Sequence, residues 1–545
     1  MNTGRAPGTP DPSDTEFHSV SNGMNWNTLV WLTIAALFAS MIGAGSYPLL
    51  GPDEARHAGI VHDMWAAQQH LLPRVDGFPA LDAAPLYYWL SMGFLFLFGV
   101  EEWAVRLPSA LSAALALGVM AKVLSPWRLR RALVTLVILF LAQPGLVMAG
   151  RFASPDMLNI LLLTVAVGSF LQAANRLEAG QSPAPWIMGA WVGTALLGLG
   201  AGALAVGVPL IIVCSWLALR RRFDIMRALC WWRGLSLAAA LILPWLWMAA
   251  RQYPGIVASM LEKQALAVFG HARYGWVEPC REPCGLLLLG GILPILICLY
   301  RFRDPVRRQA IRTPTAGLMA VWLAVLVPLH PLVVMTVVGP AAILAVPLLY
   351  FGVLALVPGG RGRSWEDACA WLLHVVLIVG VGMVGLRFFG QRASTMPAVV
   401  QVVSELYRPT TDKVILLDRY DYEFSFYMRS PKLVYVVSDW VAGGDGAPMA
   451  SWQRELLGSA RFAPDTAQRL LLTHQAFLEK LCEPRVVNLW VIGSERAVER
   501  HPILSGLTQV VDTGTVRAWY LDAGDEPMST SEGDRLASKT CAGVR

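Results

Sequence analysis

Charged side chains are scarce in this sequence. They amount to 15% of its 545 residues, where a soluble domain carries about a quarter, while 55% are hydrophobic and the mean hydropathy is +0.50. The shortage excludes an ordinary soluble protein and makes lipid the solvent for most of the chain. Also missing is any basic patch suited to nucleic acid. The net charge is +6, but the positive residues sit in short loops that each follow an apolar run: Arg128 to Arg131, Arg220 to Arg222, Arg301 to Arg312, and Arg361 with Arg363. That is the positive-inside pattern of a membrane protein, so no nucleic-acid partner is expected.

Cysteines are few and dispersed. Of the eight, Cys214, Cys230, Cys298 and Cys369 lie in or beside apolar runs, where the thiol packs as a small hydrophobe. Cys280, Cys284, Cys482 and Cys541 fall on the expected oxidising side, where disulfides are allowed. The outer loops hold no cluster of four ligands at zinc spacings, so a zinc site is not expected. Neither an internal repeat nor a nucleotide-binding loop is present.

What is present is a series of apolar runs between Trp26 and Phe389. Each is close to the roughly 20 residues that cross a bilayer core of about 30 Å. Residues 1–25 are polar and rich in Pro, Ser and Thr, and read as a disordered cytoplasmic tail before an uncleaved first helix. Residues 26–390 form the membrane part, and charges and prolines return over 391–545, which reads as a separate water-soluble domain.

Orientation follows from the arginines. With the N-terminus inside, a first helix near 27–48 delivers residues 51–105 to the outer face. If the short run 86–100 lies in the interface, spans follow near 106–124, 132–149, 158–174, 186–199, 202–219, 231–249, 285–300, 316–329, 332–356 and 366–389. Every arginine cluster then falls inside. The fold class is a polytopic α-helical membrane protein with about eleven spans plus interfacial helices, carrying a C-terminal soluble α/β domain. In that domain Lys413 to Leu417, Leu433 to Ser438, Val486 to Ile492 and Val516 to Leu521 read as strands and Asp465 to Leu481 as a helix.

The outer face collects the polar groups that lipid would penalise. Asp53 and Glu54 directly follow the first span, with Arg56 close behind. Such carboxylates can accept a proton from a hydroxyl or hold a divalent ion, and the arginine can bind a phosphate. Asp53 also suits a helix N-cap, as does Asp156 after Pro155. Tyr87, Tyr88 and Trp89 suit an aromatic belt better than a sugar platform.

The segments Gly51 to Met64 (GPDEARHAGIVHDM), Pro73 to Leu90 (PRVDGFPALDAAPLYYWL), Arg106 to Ala110 and Arg151 to Asp156 together resemble the aminoarabinose transferase of lipid A and its relatives. That family is grouped with the protein mannosyltransferases among glycosyltransferases of the multi-spanning C-type fold. Leu243 to Trp245, Glu262 to Gln264, His271 and Asp418 to Phe426 match its order too.

The resemblance implies an inverting enzyme of the inner membrane, with its C-terminal domain in the periplasm. It would move a sugar from a polyprenyl-phosphate donor to a lipid or envelope-glycan acceptor at the periplasmic face, among membrane lipids and without nucleotide. Asp53 matches the catalytic carboxylate, Asp156 the second aspartate, and Glu54 accompanies Asp53. Arg56, Arg74, Asp82, Arg151, Lys263 and His271 are the substrate-binding candidates. The only cofactor suggested is a divalent metal ion.

The chain also departs from the family. Asp82-Ala83-Ala84-Pro85 stands for Glu-Lys-Pro-Pro, Gly200-Ala201-Gly202-Ala203 for Thr-Lys-Gly-Pro, and Val327 to Pro331 for a Ser- and Lys-rich turn. Three cationic positions that would meet a departing phosphate are neutral or weakly basic. Either Arg74, Arg151, Lys263, His271, Arg273 or His330 replaces them, or the chain is a non-catalytic polyprenyl-lipid binder that kept the fold. Arg74 and Arg273 equally suit interfacial anchors, and His330 a helix end.

Overall fold

The computed structural model describes residues 26–123, 130–229, 231–269, 300, 302–303, 311–333, 339–356, 372, 376, 380, 394–429, 434–440, 449–482 and 487–523. His271, Arg273, Cys230, Cys280, Cys284, Cys298, Cys369, Cys541 and the tail 1–25 lie outside them. So do the expected spans near 285–300 and 366–389, single positions apart.

The first half is helical: α1 (Trp26–Met41), α2 (Asp53–Ala66), α3 (Pro85–Phe98), α4 (Glu102–Val123), α5 (Arg130–Ala142), α6 (Pro144–Arg151), α7 (Asp156–Glu178), α8 (Ala184–Ala201), α9 (Gly207–Leu219), α10 (Phe223–Ala228), α11 (Trp231–Gln252) and α12 (Ile256–Phe269). Helices α13 (Pro314–Val333) and α14 (Gly339–Leu356) follow, and a hairpin of β1 (Arg74–Val75) and β2 (Phe78–Pro79) interrupts the first loop. Among the described residues four helices, α4, α7, α8 and α11, are long and apolar enough to cross a membrane. Of these, α7 is the most enclosed, packing against α4 and α8. Trp31, Phe38, Leu219, Leu243 and Trp247 turn outward into open space on their helices, an apolar exterior that suits acyl chains and not water.

One expected span is not straight. The run 132–149 is two helices, α5 and α6, meeting at 75°. The break falls at Gln143, which is extended (φ −88°, ψ 105°) ahead of Pro144. Proline disfavours helical backbone in the residue before it and lacks the N–H that would continue the ladder. Counted as one, the bent pair makes a fifth crossing.

Residues 394–523 carry α15 (Met396–Leu406), β3 (Asp412–Leu417), α16 (Phe424–Met428), β4 (Tyr435–Val437), α17 (Ser451–Ala460), α18 (Pro464–Leu470), β5 (Leu471–Leu472), α19 (His474–Cys482), β6 (Asn488–Gly493), α20 (Glu495–Arg500), β7 (Thr508–Asp512) and β8 (Arg517–Leu521). The six strands lie in the order β5-β4-β3-β6-β8-β7, parallel from β5 to β6 and antiparallel beyond. Strand β6 is buried along its whole length, as a parallel strand covered on both faces should be.

Four strands appear where β-branched and apolar runs predict them. The helix expected over Asp465 to Leu481 is divided instead. Leu471 and Leu472 pair with β4 at the sheet edge, and Thr473 restarts the helix by accepting the amide of Ala476 at 3.2 Å.

This sheet sits on the first loop. A Cβ at Gly59, in the middle of α2, would lie 2.3 Å from the backbone carbonyl oxygen of Tyr422. Only glycine lets the two backbones approach so closely. Around that contact Tyr427 Oη accepts the amide of Leu49 at 2.7 Å, Phe426 meets the His62 ring, and Arg429 pairs with Glu101 at 2.7 Å.

Candidate active site

Asp53 and Glu54 open α2, whose N-cap is Pro52. Asp53 is thus the first helical residue and not the cap, and Asp156 is likewise the first residue of α7 behind Pro155. Carboxylates in a helix's first turn are favoured by its positive end. Both aspartates are partly exposed, the state a carboxylate needs to meet a substrate.

Glu54 behaves differently from its neighbour. Its side chain is buried, and both oxygens are committed: Oε1 accepts from Arg106 Nε at 2.7 Å and Ala153 N at 3.0 Å, Oε2 from Arg106 Nη2 at 3.0 Å and Leu50 N at 2.9 Å. The expectation that Glu54 joins the chemistry gives way to a positioning role. Arg106 is buried too, and donates in addition to the carbonyls of Ala44, Tyr47 and Pro48 while its guanidinium lies 3.9 Å from the Tyr47 ring centre. One ion pair therefore gathers the end of the first span, the start of α2 and the turn before α7.

That turn ties the start of α7, which bears Asp156, to the start of α2, which bears Asp53. Ala153 binds Glu54, Ser154 accepts Ser109 Oγ at 3.0 Å through its carbonyl, and Ser154 Oγ donates to Asp156 Oδ2 at 3.3 Å. Tyr87, buried between the turns, is held well above the usual phenol range by burial and then by Glu54 and Asp156, after opposing bonds from Ser109 and Ser91.

Arg56 is one helical turn further along α2. Its guanidinium contacts Asp82 at 2.6 Å and Glu455 of α17 at 2.6 Å, and Tyr422 Oη donates to the same Glu455 at 2.7 Å. Against a desolvation penalty, Arg56 and then Lys263 hold the Asp82 carboxyl below its ordinary value. Lys263, on α12, is thus the cation that the structure brings to the Arg56–Asp82 pair. His57 adds no charge, because burial and then Arg56 push it down to about 3, and its Nδ1 lies 2.8 Å from Tyr88 Oη.

Arg74 and Arg151 each hold a backbone carbonyl. Arg74 donates to the Gly77 carbonyl of its own hairpin at 3.0 Å, and Arg151 to the Ile42 carbonyl at 2.7 Å. At the glycine-rich turn, Gly202 takes φ +99° and the Gln264 side chain fills the space where a Cβ would be.

Sequence reasoning missed Glu455 and Asp76. The latter accepts from Tyr420 Oη and, at 3.4 Å, from Ser425 Oγ. Burial, and then Asp63 nearby, push the Asp76 carboxyl up to about 7. A folded value above the unfolded one means the native state holds the extra proton, so this stability is complete below about pH 4 and lost as pH rises through 7. Asp76→Asn should flatten that dependence and raise the melting temperature at pH 8 relative to the parent, measured by thermal unfolding from pH 5 to 8. An unchanged slope would refute it.

Among the described residues, the grouping of three ligand-type side chains close enough for a metal is Asp418, His474 and His501.

Comparison with known proteins now has a geometry to meet. The family profile "Dolichyl-phosphate-mannose-protein mannosyltransferase" matches residues 82–248. An undecaprenyl phosphate-alpha-4-amino-4-deoxy-L-arabinose arabinosyl transferase of Erwinia tasmaniensis is 30% identical over 207 residues, covering 37% of this chain and 36% of that protein. One from Pseudomonas savastanoi pv. phaseolicola is 24% identical over 295 residues, 54% of each. The crystal structure of ArnT from Cupriavidus metallidurans bound to undecaprenyl phosphate superposes with a TM-score of 0.71 at 17% identity, over 92% of this chain and 99% of that one. Over residues 82–248 the chain is similar to the protein mannosyltransferases, and it is similar to aminoarabinose transferases over a third to a half of its length. Its matches to these curated relatives span about a third to a half of their length, and the ArnT superposition establishes a shared fold.

Proposed function

We propose that this chain transfers a sugar from a polyprenyl-phosphate carrier to a lipid acceptor. The observation that carries the reading is the bond between Glu54 and Ala153, which joins the helix starts bearing Asp53 and Asp156. The names of the relatives support it, since they are arabinosyl transferases acting from undecaprenyl phosphate.

In this reading Asp53 takes the proton of the acceptor hydroxyl as its oxygen attacks the anomeric carbon. The bond from that carbon to the phosphate oxygen breaks, its electron pair leaves with the polyprenyl phosphate, and the configuration inverts. Arg56 and Lys263 stabilise the departing phosphate, taking over the task of the absent family lysines. Asp82 and Glu455 keep the Arg56 guanidinium extended and aligned until the donor arrives.

The site faces the periplasm, about eleven spans cross the inner membrane, and residues 391–545 form a periplasmic domain that caps the site. Support for that side comes from Cys482, which is disulfide-bonded, a state typical of oxidising compartments.

The test is direct. Purified protein is incubated with undecaprenyl-phosphate sugars and extracted envelope lipids, and both pools are read by mass spectrometry. A lipid mass gain of one sugar, matched by free undecaprenyl phosphate, is expected. Donor binding without any product across the panel would overturn the enzyme reading in favour of a lipid binder.

A further inference from the structure

The sheet ends, at the carboxyl edge of its parallel strands, in a group of side chains that sugar transfer does not use. Open α/β sheets bind ligands beyond the carboxyl ends of their strands, because the connecting loops gather there. Asp418 directly follows β3, Asp439 lies just past β4, and His474 opens α19 after β5. Arg500 and His501 end the helix that follows β6.

These residues, far apart in sequence, meet closely. His474 Nε2 lies 3.1 Å from Asp418 Oδ1 and 3.5 Å from Asp439 Oδ1. That nitrogen is enclosed and forms an ion pair with Asp418. Its Nδ1 is 2.8 Å from Nε2 of His501, which is itself buried. One ligand atom from each of Asp418, His474 and His501 falls within 4.8 Å of the others. Arg500 holds Asp439 through Oδ2 and stands 3.4 Å from Asp418, so Asp439 turns its Oδ1 toward His474.

Carboxylates and imidazoles gathered at one enclosed point are the donor set that a transition-metal cation takes. A cation between the imidazole and the carboxylates satisfies all of them together. Ligand atoms of a tetrahedral zinc site, about 2.0–2.2 Å from the metal, stand roughly 3.4 Å apart. One ligand atom from each of Asp418, His474 and His501 already lies within 4.8 Å of the others, and side-chain rotation closes them to that spacing. Mixed imidazole and carboxylate donors favour zinc-class ions over magnesium or calcium, which take oxygen alone.

We propose that Asp418, His474 and His501, with Asp439 as fourth ligand, bind a divalent transition-metal ion of the zinc class. The ion pins β3, β4 and the starts and ends of two helices at one point, and Arg500 orients the carboxylates from outside the ligand set. Its role is structural and independent of the sugar-transfer reading.

Full-length protein in detergent, stripped with a chelator, is titrated with zinc chloride and followed by elemental analysis and thermal unfolding. About one zinc per chain, little uptake of magnesium and a higher melting temperature are expected. His474→Gln and Asp418→Asn should each weaken zinc binding at least about tenfold, since even outer-shell partners are worth that much. A parent that takes up no zinc, or variants that take up as much as the parent, would overturn the site. Should the variants fail to fold, cobalt in the parent decides: intense visible bands of a four-coordinate ion support the proposal, and a weak six-coordinate spectrum refutes it.

Discussion

Asp53→Asn should reduce sugar transfer by about 10²- to 10⁴-fold, the range for loss of a positioned proton acceptor, while leaving the folded protein intact. Asparagine has nearly the same shape but cannot take the acceptor proton. The substitution removes no helix cap, because Asp53 is the first residue of α2 behind Pro52. Folding loses at least the favourable charge–dipole term at a helix start, about 0.3–1 kcal/mol. The measurement pairs initial rates from the mass-spectrometric assay with a melting curve. A rate within a few-fold of the parent would remove Asp53 from the chemistry, and a collapsed melting temperature would make the lost rate uninformative about proton transfer.

The adjacent carboxylate should answer in the opposite way. Arg106→Met is expected to destabilise the protein by about 3–5 kcal/mol, the usual effect of stripping one partner from a buried ion pair. Glu54 would lose its charge partner at 1% side-chain exposure, and the carbonyls of Ala44, Tyr47 and Pro48 would lose their donor. Domain stabilities are about 5–15 kcal/mol in total, so most of such a variant should be recovered unfolded or aggregated. Adding Glu54→Gln to Arg106→Met removes the orphaned carboxyl and should restore part of the loss, though not the part owed to the carbonyls. Melting curves of the two single variants and the double variant give the coupling. Additive effects would mean that the pair does not act as a unit. Asp53 for activity and Glu54 for folding thus separate two neighbours that look alike on paper.

Much of the membrane architecture was legible because its signal is local. Apolar runs and arginine-bearing loops can be read residue by residue, and the spans at α4, α7, α8 and α11 stand where those runs lie. The 75° bend at Pro144 was also written in the sequence, but it was submerged in an unbroken apolar run. The site was legible only in part. Asp53 and Asp156 stood out by following or preceding spans, yet nothing local marks one of two adjacent carboxylates as buried; that depends on Arg106, 52 positions away in the chain. Glu455, 399 positions from Arg56, carries no mark of its own. The same holds for His474 and His501, whose ligand-like spacing exists only once the sheet has brought the strand ends together.

The close seat of Tyr422 on Gly59 has a practical side. Residues 420–429 touch Leu49, Gly59, Asp76 and Glu101 at once, so the sheet and the first loop form a matched pair of castings. A hybrid that borrows the sheet from a similar protein has to import the loop over residues 49–101 with it, or accept a joint that no longer closes.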